Sequence, residues 1–169
     1  WLVSGMPPFT FIKRILQPLF TALLTSSSAT TLPVSMIAAE KELGVDRAKA
    51  SFILPLGATA NMDGTALFEG IAAIYLAYMF GIDLGSTEII TVFLISMLSS
   101  IGAPGMPSGS MAGMQLVLLA VGIPLEAIAL LLLIERPLDT FRTAVNVEGD
   151  LAGCLVVEHF ITGKEKAAA

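Results

Sequence analysis

The stretch LPLGATANMDGTALFEGIAAIYLAYMF (residues 54–80) is long and apolar enough to cross a lipid bilayer, but polar residues interrupt it. A bilayer-spanning helix needs about 20 mostly apolar residues. Asn61, Asp63 and Gly64 lie inside this run, where a carboxylate is costly and a glycine weakens a helix. The stretch therefore predicts a broken transmembrane helix over residues 52–80, with the interruption at 57–64.

The composition of the whole chain supports an all-α integral membrane protein. Of its 169 residues, 55% are hydrophobic and only 14% are charged, and the mean hydropathy is +0.84. An ordinary soluble domain carries about 25% charged residues, so a soluble helical protein is the disfavoured alternative. The net charge of −5 argues against a nucleic-acid partner. A single Cys154 and a single His159 exclude an internal disulfide and a multi-cysteine metal site.

Two other segments predict helical hairpins that enter the membrane and return on the same side. Residues 9–43 hold a short helix, the polar run TSSSATTLP (25–33) and a second helix at 34–43. Residues 89–121 hold two short helices around SSIGAPGMPSGSMAG (99–113). Non-helical backbone at membrane depth is tolerated only beside protein or a water-filled cavity. Two such re-entrant hairpins and a broken helix therefore predict one shared internal site.

Residues 125–160 are predicted to form one long last transmembrane helix, which completes a multi-pass protein of the cell (inner or plasma) membrane. The loops at 82–88 and 122–126 carry acids but no bases, as expected outside the cell. By the positive-inside rule, the basic residues that this topology puts on one side mark the cytoplasm: Lys13, Arg14, Lys41, Arg47, Lys49, Lys164 and Lys166.

The last helix carries a polar face. Spacings of i, i+3, i+4, i+7 and i+11 place five residues within an arc of about 100°: Asp139, Arg142, Thr143, Asn146 and Asp150. Glu135 joins this face, whereas Phe141, Val145 and Glu148 point away from it. An amphipathic helix with ordinary i,i+3 ion pairs would show the same spacing. Because ionisable residues at membrane depth usually mark a pathway or a site, we expect a binding face.

The residue types on this face predict an acidic amino acid as the ligand. Arg142, which has no evident partner in the sequence, is a planar cation whose fork matches a carboxylate. Asp139, one turn away, could accept hydrogen bonds from an ammonium group, and Thr143 and Asn146 add neutral contacts. Helix N-termini and backbone groups at the hairpin tips also favour an anion.

Other polar residues predict a cation site. Hard oxygen donors suit hard cations, and sodium fits a membrane carrier better than calcium or magnesium. Gly57 and Gly64 are expected to break the helix and free backbone carbonyls. The side-chain donors are Asn61, Asp63, Asn146 and Asp150.

Glu69 is the candidate proton carrier, because it lies in a lipid-length helix far in sequence from any basic residue. The alternative is that Glu69 faces water in the cavity and only tunes the local field.

Four motifs resemble the dicarboxylate/amino acid:cation symporters, the glutamate transporter homologues that include the excitatory amino-acid transporters. They are SSSATTLP (26–33), NMDGTALFE (61–69), SSIGAPGMP (99–107) and DTFRTAVNVEGD (139–150). The resemblance covers nearly the whole chain and implies that residues 1–169 form the C-terminal core of a mobile transport domain. It also implies a homotrimer in which each transport domain moves, like an elevator, past an N-terminal scaffold absent from these residues.

The resemblance also implies roles for individual residues. Arg142 would hold the side-chain carboxylate of L-aspartate or L-glutamate and Asp139 its amino group, and the other substrate contacts would come from Ser28, Thr65, Met106, Gly109, Thr143 and Asn146. The implied sodium ligands, taken together, are Gly57, Thr59, Asn61, Met62, Asp63, Ser100, Ile101, Ala103, Asn146 and Asp150. Proton-coupled members of the family carry Glu at the position of Glu69. Sodium ions would be co-transported ligands, and no cofactor is expected.

Some members carry an additional arginine where this chain has Ser26 or Thr140, so any salt-bridge gate must differ, with Arg136 as a candidate. A C4-dicarboxylate or neutral amino-acid carrier of the same family stays open as the alternative substrate class. An intramembrane aspartyl protease would use Asp63 with Asp139 or Asp150, and an ion channel would use rings of carbonyls. The protease scheme gives no role to Arg142 or to the two hairpins, and a channel needs no paired Asp139 and Arg142, so we predict a carrier and not an enzyme.

Overall fold

The computed structural model describes residues 3–168, with side chains through Thr162. Every regular element in that range is helical, which confirms the all-α prediction. Lys164 and Lys166, predicted to lie on the cytoplasmic side, fall outside the residues whose side chains are described. The elements are α1 (Pro8–Arg14), α2 (Leu16–Thr25), α3 (Ser28–Lys41), α4 (Arg47–Ala60), α5 (Asp63–Met79), α6 (Ser86–Ser100), α7 (Ser110–Ala120), a 3-10 turn (Leu125–Ala127), α8 (Ile128–Leu132) and α9 (Glu135–Ala168).

Helices α2 and α3 pack side by side and are joined by only two non-helical residues. Ser26 ends α2 in the left-handed conformation with φ 51°. Ser27 is the N-cap of α3, because its hydroxyl accepts a hydrogen bond from the amide of Thr30 at 3.1 Å. The prediction of a second helix at 34–43 is therefore wrong in its start, since α3 begins at Ser28 and absorbs most of the polar run. This first tip (residues 26–27) is shorter than the sequence predicted.

A helix interruption does lie within residues 52–80, but it is narrower than predicted. Only Asn61 and Met62 separate α4 from α5, whereas the sequence predicted an interruption over 57–64. Gly57 and Gly64 lie inside the two helices, and the carbonyl of Gly57 already accepts the amide of Asn61 at 2.8 Å. The expectation that these glycines break the helix is therefore wrong, although the Gly57 carbonyl oxygen, which accepts one hydrogen bond, can accept a second.

The two glycines instead allow α9 to approach the broken helix closely. A Cβ atom on Gly57 would lie 2.6 Å from Oδ1 of Asp150. A Cβ atom on Gly64 would lie 2.5 Å from the backbone oxygen of Arg142. Both distances are far below van der Waals contact. At Gly64 the neighbour is backbone, so a larger residue would force α5 and α9 apart, whereas at Gly57 the Asp150 side chain would have to move.

The predicted single helix over 125–160 is also wrong, because Leu133 and Ile134 form a turn between α8 and α9. The cause is Pro137, which has no amide proton and whose ring clashes with the carbonyl four residues earlier, at Leu133. Near the other end of the chain, Ile15 separates α1 from α2. Pro18 lies four residues after Arg14, the last residue of α1, just as Pro137 lies four residues after Leu133.

Helices α6 and α7 also pack against each other, and residues 101–109 between them form the second tip. The buried apolar side chains form two clusters. One joins α2, α3, α4 and the far half of α9 around Leu54 and Leu151. The other joins α5, α6, α7 and α8 around Leu76 and Met114. Among the helices of the described residues, none has the length and hydropathy that a complete bilayer crossing requires.

We predict that Gly64→Ala lowers the stability of the full-length protein by about 1–3 kcal/mol, because the added methyl group meets the backbone of α9. The matched control is Gly153→Ala, since Gly153 lies in α9 with no atom within 4 Å of the position that its Cβ atom would take. The control should be neutral or stabilising by up to about 1 kcal/mol. Thermal unfolding in detergent measures both variants, and equal effects would contradict this role for Gly64.

Candidate functional site

The polar face of α9 is buried, as its spacing predicted. Phe141 and Val145, on the opposite face, are exposed by 66% and 45%. Six polar side chains of the face are exposed by only 3–6%: Glu135, Asp139, Arg142, Thr143, Asn146 and Asp150. Burying so many polar groups is unfavourable unless each finds a partner, so their contacts define the site.

A small cavity lies where the two tips, the break between α4 and α5, and the polar face of α9 meet. The volume of this cavity is only about 10 Å³, roughly the room for one water molecule. All eight residues that the sequence analysis assigned to the substrate line this cavity: Ser28, Thr65, Met106, Gly109, Asp139, Arg142, Thr143 and Asn146. The structure thus brings together residues that lie far apart in the chain.

Arg142 has partners, which corrects the expectation of an unpartnered guanidinium. Its Nη2 donates to Oε1 of Glu135 at 2.5 Å and to Oδ1 of Asp139 at 2.7 Å. Its Nη1 donates to Oε2 of Glu135 at 3.3 Å. The guanidinium carbon also lies 4.5 Å from the ring centroid of Phe68, within the range of a cation–π contact. Glu135 lies seven residues before Arg142, so this contact depends on the conformation of the two side chains, which the spacing of residues in the sequence does not reveal.

Asp139 connects α9 to the second tip. Its Oδ2 accepts a hydrogen bond from the amide of Ser108 at 2.9 Å. Ser108 has a φ of 60°, a left-handed conformation that turns its amide towards the carboxylate. Arg136, whose side chain is 66% exposed, approaches the same oxygen at 3.8 Å. This contact places Arg136 beside the site, where the sequence analysis had considered it as a gate residue.

Asn146 braces the break in the helix. Its Oδ1 accepts the amide of Gly64 at 2.8 Å, which satisfies a donor at the start of α5. Its Nδ2 donates to Sδ of Met62 and Oγ1 of Thr65, both at 3.2 Å. An amide side chain can both donate and accept, so one residue contacts both the unwound segment, at Met62, and the start of α5.

The residues predicted to bind sodium are only partly brought together. Oδ1 of buried Asp150 accepts from Nδ2 of Asn61 at 3.1 Å, and Gly57 lies against the same carboxylate. Asp63 is exposed, and its Oδ2 lies beside Gly149 of α9. In the part of the chain that the structure describes, no three His, Cys, Asp or Glu residues are close enough to hold a metal ion.

The second predicted sodium set lies around the second tip and the break. Met62, Ser100 and Ala103 are buried, and the carbonyl of Ser100 accepts the amide of Ala103 at 3.1 Å. Thr59 and Ile101 are exposed. The hydroxyl of Thr59 donates to its own helix, at the carbonyl of Leu56, 3.1 Å away.

The two tips also contact each other directly, which sequence reasoning missed. The carbonyl of Gly105 accepts the hydroxyl of Ser27 at 2.8 Å and the amide of Ala29 at 3.0 Å. Gly105 packs so closely that a Cβ atom there would lie 2.8 Å from the carbonyl oxygen of Ala58. Both tips were predicted to share a site, but no local pattern identifies the pair of residues that joins them.

Glu69 is completely buried between α5 and the α6–α7 pair. The hydroxyl of Ser99 donates to its Oε2, and Gly113 of α7 lies against the carboxyl group. Oε1 has no hydrogen-bond partner in the described residues. A buried carboxyl with one bare oxygen is much less costly when neutral than when charged, and the alternative of a water-facing Glu69 does not fit this burial.

Residues 1–160 match the sodium:dicarboxylate symporter family, and the chain belongs to that family. It is 47% identical over 159 residues to excitatory amino acid transporter 2 of Homo sapiens, covering 94% of this chain and 28% of the relative. It is 46% identical over 158 residues to excitatory amino acid transporter 3 of Mus musculus, covering 94% and 30%. An excitatory amino acid transporter of Onchocerca volvulus is 44% identical over 153 residues, covering 90% and 31%.

The chain therefore spans less than a third of the length of these curated relatives. The family is one of symporters and the named relatives are transporters, not enzymes.

Proposed function

We propose that the protein is a secondary active symporter that takes up an acidic amino acid, L-aspartate or L-glutamate, together with sodium. The observation that carries the proposal is the buried pair of Arg142 and Asp139, 2.7 Å apart, in a cavity lined by both tips and the helix break. A cation and an anion side by side match two of the three charged groups of an acidic amino acid, the side-chain carboxylate and the ammonium group. Family membership and the names of the relatives support the same substrate class.

In the proposed complex, Arg142 binds the side-chain carboxylate and Asp139 binds the amino group. Hydroxyl, amide and backbone groups from Ser28, Thr65, Thr143 and Asn146 complete the contacts, with Met106 and Gly109 on the second tip. A cavity of about 10 Å³ is far too small for an amino acid. We therefore propose that the second tip (residues 101–109) moves outward as an extracellular gate and closes over the ligand.

A C4-dicarboxylate or neutral amino-acid carrier remains the second candidate. Asp139 disfavours a C4-dicarboxylate, because a substrate without an amine would place another anion beside this carboxylate. Arg142 favours a substrate with a second carboxylate over a neutral amino acid, because its planar fork matches two carboxylate oxygens.

Sodium ions are the proposed co-transported ligands. Asp150 supplies the charged oxygen of one site, with carbonyls of Gly57, Asn61 and Asn146. A second site uses carbonyls of Thr59, Ser100, Ile101 and Ala103, near Met62, and a third uses Asp63 and Asn61. The shared contact of Asn61 with Asp150 supports coupling between the break and α9. A protonatable Glu69 is the proposed proton carrier.

We propose that α2–α3 and α6–α7 are re-entrant hairpins of a multi-pass protein in the cell membrane, and that α4–α5 and α8–α9 are the two interrupted spans. Large apolar side chains that face outward support a lipid environment; Phe9, Leu24, Tyr78 and Leu133 are exposed by 82–92%. A homotrimer formed through an N-terminal scaffold, with elevator movement of this domain, completes the proposal.

Replacing Arg142 tests the substrate class. Arg142→Cys should weaken binding of L-aspartate by about 30-fold or more, because truncating a buried charge pair typically costs about 2–5 kcal/mol. Binding in sodium-containing buffer to the purified full-length protein measures the effect, with Arg47→Cys as the control because Arg47 is largely exposed. Near-native aspartate affinity in Arg142→Cys would refute the role, and succinate competing as strongly as L-aspartate would favour the C4-dicarboxylate alternative.

Replacing Asp150 tests sodium binding. Asp150→Asn keeps an oxygen but removes the charge, so we expect about tenfold weaker sodium affinity, together with weaker aspartate affinity at fixed sodium. Asp83→Asn, in an exposed loop, is the matched control. Sodium titrations of aspartate uptake in proteoliposomes distinguish the variants. Identical sodium dependence in Asp150→Asn and the wild type would remove Asp150 from the cation site.

Replacing Glu69 tests proton coupling. Glu69→Gln mimics the protonated acid, so substrate binding should survive while its pH dependence between about pH 5 and 9 flattens and uptake driven by an inward proton gradient falls. Exposed Glu88→Gln controls for loss of one acid. If aspartate affinity follows the same pH curve in Glu69→Gln and the wild type, the proton is carried elsewhere or not at all.

A further inference from the structure

Glu135, the first residue of α9, is buried beside the binding site but does not line the cavity. It lies seven residues before Arg142, which corresponds to about 10.5 Å of helical rise. The contact between the two side chains therefore requires Arg142 to extend towards the start of α9, past Asp139. Such a pair is too distant along the helix to be an ordinary one-turn ion pair.

The contact occupies the atoms that a substrate carboxylate would use. Glu135 accepts from Nη2 and Nη1 of Arg142 at 2.5 and 3.3 Å, so its carboxylate binds both terminal nitrogens of the guanidinium. Asp139 accepts from Nη2 as well, at 2.7 Å. A ligand whose two carboxylate oxygens bind both terminal nitrogens of the guanidinium must displace the Glu135 carboxylate.

The charges point in the same direction. Two buried carboxylates and one guanidinium leave this cluster with a net charge of −1, and nearby Arg136 is largely exposed. An acidic ligand therefore meets a site that already contains one surplus negative charge. Displacing Glu135 also leaves its carboxylate without its main partner, which opposes binding.

We propose that Glu135 is a specificity-determining residue, a tethered carboxylate that occupies Arg142 and that the distal carboxylate of the substrate must displace. This inference rests on the proposed function. Glu135 weakens the binding of acidic amino acids and has little effect on a ligand that does not use the guanidinium fork. If Glu135 only held Arg142 in place for the substrate, its loss would weaken the binding of acidic ligands, which is the opposite effect.

The test compares L-aspartate with its neutral isostere L-asparagine in the full-length protein. Glu135→Gln keeps the shape of the side chain but removes the charge, and we expect it to increase aspartate affinity about tenfold. Asparagine affinity should change by less than about twofold. Glu135→Asp, one methylene shorter, holds Arg142 less well and should give an intermediate aspartate affinity. Exposed Glu42→Gln is the matched control for loss of one acid and should leave both affinities unchanged.

The outcomes separate this inference from the proposed function. Unchanged or weaker aspartate affinity in Glu135→Gln, with asparagine binding retained as proof of folding, would overturn the inference and leave the proposed function standing. If Glu135→Gln does not fold, an aspartate affinity of Glu135→Asp equal to or below that of the wild type has the same meaning. If wild-type protein binds no acidic ligand, the proposed function fails. If aspartate binds to Glu135→Gln but not to the wild type, this result still supports the inference. If aspartate binds to neither protein, the inference is overturned.

Discussion

The structure depends on the burial of one polar helix face. Helix α9 carries two acids, an arginine, an asparagine and a further aspartate into the interior, and none of them can remain without a partner at acceptable cost. The partners come from different parts of the chain. Asn61 at the break binds Asp150, Gly64 binds Asn146, and Ser108 at the second tip binds Asp139. The packing of the other elements thus follows from the needs of α9.

Close approach makes these bonds possible. Hydrogen bonds from short side chains and from backbone require helices to pack at less than their usual separation. Gly57 and Gly64 supply the missing volume on α4 and α5, each facing a residue of the polar face. The unwound pair Asn61–Met62 lies between these glycines, so the break is held from both sides by contacts with the same helix. A helix that packed at the ordinary distance would leave the break unsupported.

Sequence periodicity was sufficient for the polar face, and motif order was sufficient for the list of cavity residues, because both depend on local spacing or on family resemblance. Helix ends were predicted less well. Ser27 caps α3 earlier than the polar run TSSSATTLP indicated, and Pro137 divides a segment whose hydropathy is continuous. The pairing of Arg142 with Glu135 and the joining of Ser27 to Gly105 could not be predicted. The first depends on side-chain conformation, and the second joins residues 78 positions apart.

The contact between the two tips means that few hydrogen bonds hold the second tip (residues 101–109) in place. Its residues are fastened to the first tip through a single backbone oxygen, that of Gly105, and to α9 through the amide of Ser108. Three hydrogen bonds, each with a net value of about 0.5–1.5 kcal/mol, are a modest restraint on a segment of nine residues. Release at Gly105 would free two donors of the first tip at once, Ser27 and Ala29, because both bond the same carbonyl oxygen. These hydrogen bonds therefore fix one resting position for the segment, while together they oppose its separation from the first tip and α9 by only about 1.5–4.5 kcal/mol.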